Sequence, residues 1–410
     1  MRACRGQGIA RGTECMAPWT RALFALIVLG LSACGGADPL PSVPGEPRDP
    51  AQAQLHFVTD RAEADARQDM LLLTARRDPA MHYGVAALRG TASGPEIAHA
   101  ETLLSFPATP LPLIEDGVGF QTDPATAAQY DEAGRAMQET LAEALRASGQ
   151  GDILLYIHGY NSNFVHSLET LGVLWGATGR NAVPLAYSWP AGNPGLFGYF
   201  KDRESGEFTI FHLKQTLRLL AGVPGLDRIH IIAHSRGSDV AATALRELVI
   251  ESRAAGRDPR DVYRIENLIL AAPDLDFSVV RQRLIAEQFG TAFGRITVYM
   301  NPGDGALGLA QVLMAGTRFG RLSFEQLGDR ERAIFQQIRN VHFVNVSAVT
   351  GASSHTYFSE NPEVLEDMVE IIATDALPDD PRRNLIHEEA NFWRLVLPED
   401  TEPPFERDPP

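Results

Sequence analysis

Cysteine is scarce in this 410-residue chain, which contains only Cys4, Cys15 and Cys34. All three precede residue 35, so the body of the protein can hold no disulfide framework and no cysteine-based metal site. Long apolar runs are also missing. The run Ala22–Leu31 has ten residues, about half of the roughly 20 that a membrane-spanning helix needs. Basic residues number 36 against 52 acidic ones, for a net charge of −16, and nowhere form a sustained Lys/Arg stretch. Neutralising phosphates needs a basic face, so nucleic acid is excluded as a partner. No H-E-x-x-H and no G-x-x-x-x-G-K-[ST] occurs, and no G-x-G-x-x-G follows a strand. No cofactor is therefore expected. His230 and His234 stand four apart, but Ile231, Ile232 and Ala233 between them make a strand. Four strand residues span about 13 Å, too far for one ion, so no metal is expected.

The N-terminus has the features of a targeting segment. Arg21 precedes the apolar run, which ends in Leu31-Ser-Ala-Cys34 followed by Gly-Gly. This resembles a bacterial lipoprotein signal, in which the cysteine becomes the lipidated first residue; the alternative is an ordinary secretory signal with an incidental cysteine. Residues 1–33 are then a signal peptide, and residues 34–54, rich in Pro and Gly, a flexible tether. A folded domain is expected over 55–376, with a Pro-rich acidic tail over 377–410. The resemblance implies a membrane partner through the acyl chains on Cys34, which hold firmly when there are three. Gly35 after the cysteine, where inner-membrane retention uses Asp, implies the outer membrane of the cell envelope, facing the periplasm.

Within the body, short strand patterns over Met70–Thr74, His82–Leu88 and Ile97–Phe106 suggest antiparallel strands at one sheet edge. Ala125–Ser148 reads as a helix, with Tyr130, Met137, Leu141 and Leu145 on one stripe. Apolar strands Asp152–Gly159, breaking at its glycine, Ala182–Ser188, Ile229–Ala233, Asn267–Ala272, Arg295–Met300 and His342–Ser347 then alternate with helical patterns. The last helix starts at Asn361-Pro-Glu, a capping residue followed by Pro at the first helical position. Buried strands alternating with helices mean an α/β fold, a mostly parallel central sheet with helices on both faces and antiparallel strands at its N-terminal edge. Ligands on such sheets bind beyond the carboxyl ends of the strands.

Four strand-end loops carry reactive residues. Ser235, in Ala233-His-Ser-Arg-Gly237, sits between a strand and a helix with small residues two places on either side, the pattern of a nucleophile elbow. A serine hydroxyl needs a base to take its proton and a carboxylate to orient that base. His355, in the loop between the last strand and the last helix, is in place to be the base. The acid is Asp304, in Asn301-Pro-Gly-Asp-Gly305, or Asp274, in Ala272-Pro-Asp-Leu-Asp276; Asp304 is favoured because its strand immediately precedes the one leading to His355. Backbone N–H groups that stabilise a developing oxyanion should come from Arg236 and from Tyr160, beside the permissive Gly159. His158 and Asn161 should hold that loop in shape. The aromatic segment Trp189–Phe211 either lines the site or packs.

The stretches Leu154-Leu-Tyr-Ile-His-Gly-Tyr-Asn-Ser-Asn-Phe164, Ala186-Tyr-Ser-Trp-Pro190, Ile232-Ala-His-Ser-Arg-Gly237, Leu270-Ala-Ala-Pro-Asp274 and Ser354-His-Thr-Tyr-Phe358 resemble a bacterial α/β-hydrolase family long catalogued as a domain of unknown function (number nine hundred). The resemblance spans roughly residues 55–375. It implies an α/β-hydrolase fold of esterase or lipase type, and in that family Ala commonly replaces the first Gly of the elbow, as Ala233 does here. Arg236 departs from the Met the family often has. The combined expectation is a serine hydrolase acting on a small-molecule or lipid ester. The alternatives are a non-catalytic binding module and an acyltransferase with the same residues.

Overall fold

The structure is a computed structural model and describes residues 40–41, 53–64, 70–91 and 94–397. Cys34, the signal peptide and most of the tether lie outside the described residues. Eleven strands build the main sheet: β1 (Ala53–Glu63), β2 (Leu73–Thr91), β3 (Gly94–Ser105), β4 (Asp152–Ile157), β5 (Val183–Ser188), β6 (Arg228–His234), β7 (Ile265–Ala271), β8 (Arg295–Met300), β9 (Val341–Asn345), β10 (Leu385–Glu389) and β11 (Phe392–Leu395). Their order across the sheet is β10-β11-β9-β8-β7-β6-β4-β5-β1-β2-β3. From β1 through β5, β4, β6, β7, β8 and β9 to β11 every neighbour is parallel. β1, β2 and β3 pair antiparallel at one edge, as the sequence suggests, although β2 is longer than its apolar core. Of the stretch expected as a tail, residues 385–395 add an antiparallel hairpin to the other edge.

Alternation within the buried strands explains why helices cover both faces. In β4, Ile153, Leu155 and Ile157 point to one face and Leu154 and Tyr156 to the other, the two-residue period of a strand. The first face takes α1 (Pro124–Ser148), α3 (Gly195–Ala221) and α4 (Arg236–Ala254), through Met137, Leu141, Leu213, Leu217, Val240 and Leu245. The second takes α2 (Phe164–Ala177) and α7 (Pro362–Thr374), through Leu168, Leu171, Val364 and Met368. Caps follow the sequence: Asp123 accepts from Ala125 and Thr126, and Asn361 from Val364, each followed by Pro at the first helical position. After Asp276 the chain makes one helical turn, Phe277–Val279, followed by a π-helix, Val280–Ile285. Among the described residues no helix is long and apolar enough to cross a membrane.

Chain order places the site. After β4 the chain moves one way to β5, and after β6 it moves the other way to β7, so strand order reverses between β4 and β6. The loops after those two strands open a crevice at the carboxyl edge, where such sheets bind ligands. Ser235 stands at the end of β6, paired on one side with β4 and on the other with β7.

Candidate active site

Ser235 has φ 52° and ψ −122°, a region costly for any residue with a Cβ and held only where surroundings enforce it. Here they do. Its N–H donates to Ala271 O at 2.9 Å, and its carbonyl accepts from Asp274 N at 3.1 Å. Both partners belong to the end of β7 and the loop after it. Gly237 is forced by close approach, since a Cβ there would stand 2.2 Å from His158 O. Gly159 is forced from the other side, where a Cβ would meet Ser235 Cβ at 2.9 Å and His234 Nδ1 at 3.0 Å. The small residues of the elbow thus let two strand-end loops meet around one hydroxyl.

That hydroxyl meets the expected partners. His355 Nε2 lies 3.1 Å from Ser235 Oγ, and His355 Nδ1 donates to Asp304 Oδ2 at 2.7 Å. The carboxylate can only accept, so the neutral imidazole carries its proton on Nδ1 and presents a basic Nε2 to the serine. Asp304 is fully buried. It also caps α5 (Gly305–Met314), its Oδ1 accepting from Leu307 N at 2.9 Å. One oxygen therefore holds a helix and the other holds the histidine.

Asp274 is held elsewhere. Its Oδ2 accepts from the Tyr199 hydroxyl at 2.6 Å, and Arg318 Nη1 stands 3.5 Å from its Oδ1. Asp274 lines the pocket beside Ser235, but His355 is paired with the buried Asp304. Asp276, in the same loop, caps the short helix after it.

Tyr160 and Arg236 flank the serine as expected. Arg236 opens α4, where the first N–H groups have no intrahelical acceptor. The Tyr160 side chain is tied down by its hydroxyl, which donates to Gly195 O at 2.9 Å. Asn161, next in the chain, has φ 55° and donates its N–H to Asp202 Oδ2 at 2.9 Å. The same carboxylate accepts from Gly192 N, Asn193 N and Asn193 Nδ2. Burial raises the Asp202 pKa, opposed by these hydrogen bonds. Arg61, fully buried, donates to Ser188 Oγ, Ala191 O and Ser162 O and to His158 Nε2. Burial lowers its pKa to about 10, so it stays charged at neutral pH. His158 in turn donates Nδ1–H to Gly159 O and stacks on Trp189 at 5.1 Å. Trp189 is completely buried, so the first aromatic of the segment packs, whereas Tyr199 lines the pocket.

Sequence reading missed Asp202, Arg61 and Arg318 as site-shaping residues, and took His234 only as half of a rejected metal pair. None leaves a periodic signal, because each acts across the fold. His234 donates Nε2–H to the backbone carbonyl of His355 at 3.1 Å, and its ring stacks on Phe358 at 4.2 Å. Burial, with His355 alongside, pushes its pKa well below the ordinary histidine range. A neutral ring at that point adds no charge against the proton His355 would receive.

The resulting pocket has Ser235 and His355 at its base, with Tyr160, Tyr199 and Asp274 on one side and Leu307, Leu309 and Leu313 of α5 on the other. It brings together a serine hydroxyl, an imidazole within hydrogen-bond reach of it and a carboxylate that holds the imidazole.

Among solved structures the chain is similar to a lipase-esterase related protein from Clostridium acetobutylicum, at 9% identity over 55% of this chain and 96% of that one, with a TM-score of 0.30. It is likewise similar to an esterase of Pyrobaculum calidifontis, at 11% identity over 62% of this chain and 98% of that one, with a TM-score of 0.29. No curated protein matches it in sequence. Residues 133–374 match the model of the alpha/beta hydrolases of unknown function (DUF900), and the chain belongs to that family.

Proposed function

We propose that the protein is a serine hydrolase that cleaves carboxylic esters. The observation that carries this reading is the linked geometry of Ser235, His355 and Asp304, 3.1 and 2.7 Å apart, on a strained elbow. Ser235 Oγ attacks the ester carbonyl while His355 Nε2 takes its proton, and the carbonyl oxygen becomes an oxyanion facing the Tyr160 and Arg236 N–H groups. Collapse expels the alcohol, which receives the proton from His355, and leaves an acyl-enzyme. Water, deprotonated by the same nitrogen, attacks the acyl group and releases the acid and Ser235. No step calls for a cofactor.

The protein is placed by the same reading in the bacterial envelope, anchored through acyl chains on Cys34. Support for this comes from the Leu31-Ser-Ala-Cys34 sequence alone. Labelling with a fluorophosphonate probe tests the chemistry: wild type labels and turns over a short-chain ester, and Ser235→Ala does neither. Unchanged turnover in Ser235→Ala would sink the mechanism. Incorporation of radiolabelled palmitate, lost in Cys34→Ser, tests the anchor.

A further inference from the structure

Helix α5 begins beside the triad aspartate and carries no charged residue from Gly305 through Gly316. Within the helix only Leu307 and Ala310 are buried, while Val312 is 80% exposed. A helix with no charge and Gln311 as its one polar side chain belongs in a core or a membrane, yet this one stands at the surface. Other surface helices behave conventionally: α1 turns Asp131, Glu132, Arg135, Glu139 and Glu143 outward. Ala306 both lines the pocket and is exposed, so the pocket reaches the surface along α5. Across the pocket, the Tyr199 ring meets Phe200 at 6.0 Å; Phe200 is 41% exposed and Phe197, in the same first turns of α3, is 82% exposed. Exposed apolar patches of this kind mark interaction sites.

We infer that this apolar rim docks on a lipid surface, so that the pocket draws its ester from a membrane. A lipid surface fits better than a protein partner for two reasons. A protein seated on α5 would cover the route to Ser235, whereas a bilayer supplies substrate through the same opening. The patch on α5 also offers no charge for a protein partner to pair with. The chain ahead of the folded part points the same way: Leu40–Pro41 pair with Met70–Leu71, so a lipidated Cys34 lies at most about 20 Å from the folded chain and holds it against the bilayer. The inference rests on the ester-hydrolase reading for its consequence, while the exposed helix is independent of it.

The full chain is mixed with phosphatidylcholine vesicles, and a tryptophan placed by Val312→Trp reports on docking. The expected result is a blue shift of the added emission, relative to wild type, on adding vesicles, and the same shift in a Ser235→Ala background. In parallel, Val312→Glu should hydrolyse a soluble short-chain ester like wild type but a vesicle-embedded long-chain ester roughly tenfold more slowly, the scale of losing one buried aliphatic contact. No shift at position 312, or a wild-type ratio of vesicle to soluble turnover in Val312→Glu, overturns the docking and leaves a protein partner or plain solvent there. A shift without any ester turnover removes the hydrolase reading and keeps the docking.

Discussion

His234 donates its Nε2–H to the backbone carbonyl of His355, 3.1 Å away, from the position immediately before Ser235. The end of β6 therefore fixes both the serine and the loop that carries its base. Replacing His234 by Ala removes this bond and the stack on Phe358, letting His355 drift from Ser235. Misplacement on the ångström scale costs about 100-fold in rate. The loss should appear in kcat with KM little changed, and His234→Gln, which keeps a donor, should recover part of it. A fall in Tm without a kcat effect at permissive temperature would reduce His234 to a packing residue.

The two aspartates at the pocket should separate by kinetics. Asp304→Asn keeps the shape but removes the acceptor that sets the His355 tautomer, a change that costs about 10⁴-fold in kcat where a Ser-His-Asp triad operates. Asp274→Asn leaves His355–Asp304 intact and disturbs the bond to Tyr199 and the ion pair with Arg318. Its effect should be far smaller and fall mainly on KM. Equal losses in the two variants would end the assignment of Asp304 as orienter.

Much of this arrangement is legible in the sequence where apolar runs are long and local. Strands β4 and β6 to β9 are rich in Ile, Leu and Val because both faces are covered, and the order Ser235, Asp304, His355 follows from their strand ends. The edge hairpin is not legible: β10 and β11 read Leu-Ile-His-Glu-Glu and Phe-Trp-Arg-Leu, a half-polar pattern typical of an edge rather than a core. Asp202 and Arg61 escape for another reason. Their partners lie on distant segments, and a buried charge that serves four or five polar groups looks, in one dimension, like any surface residue.

Acid should destabilise the fold through its buried histidines. His158, His234 and His342 have pKa values below the ordinary range, chiefly from burial, and that of His342 falls to about 4 with Arg295 and Arg383 adding to the effect. Below about pH 6.5 the unfolded chain takes up protons at these rings that the folded protein refuses. Stability then falls as pH drops through this window, and the His342 contribution is on the order of 3 kcal/mol by pH 4. Among the described residues neither nitrogen of His342 has a hydrogen-bond partner, so His342→Leu should cost little at pH 7. Denaturant midpoints measured from pH 7 to 4 should fall less steeply in that variant; parallel lines would contradict the linkage.

Arg383 shows that the C-terminal stretch is part of the folded unit. Its Nε and Nη2 donate to the two oxygens of Asp367 at 2.7 and 2.9 Å, and both side chains are essentially inaccessible. Tyr299, on β8, also donates its hydroxyl to Asp367. Arg383 Nη1 reaches Ala376 O, closing the turn that leads from α7 to the β10–β11 hairpin. Removing the cation leaves Asp367 buried and uncompensated, at a cost of about 3–5 kcal/mol. Arg383→Met should therefore lower Tm by roughly 5–15 °C, whereas the pair Arg383→Met with Asp367→Leu, which removes both charges, should regain most of the loss. A single variant as stable as wild type would mean that the hairpin docks without this pair, and that edge pairing with β9 alone holds it.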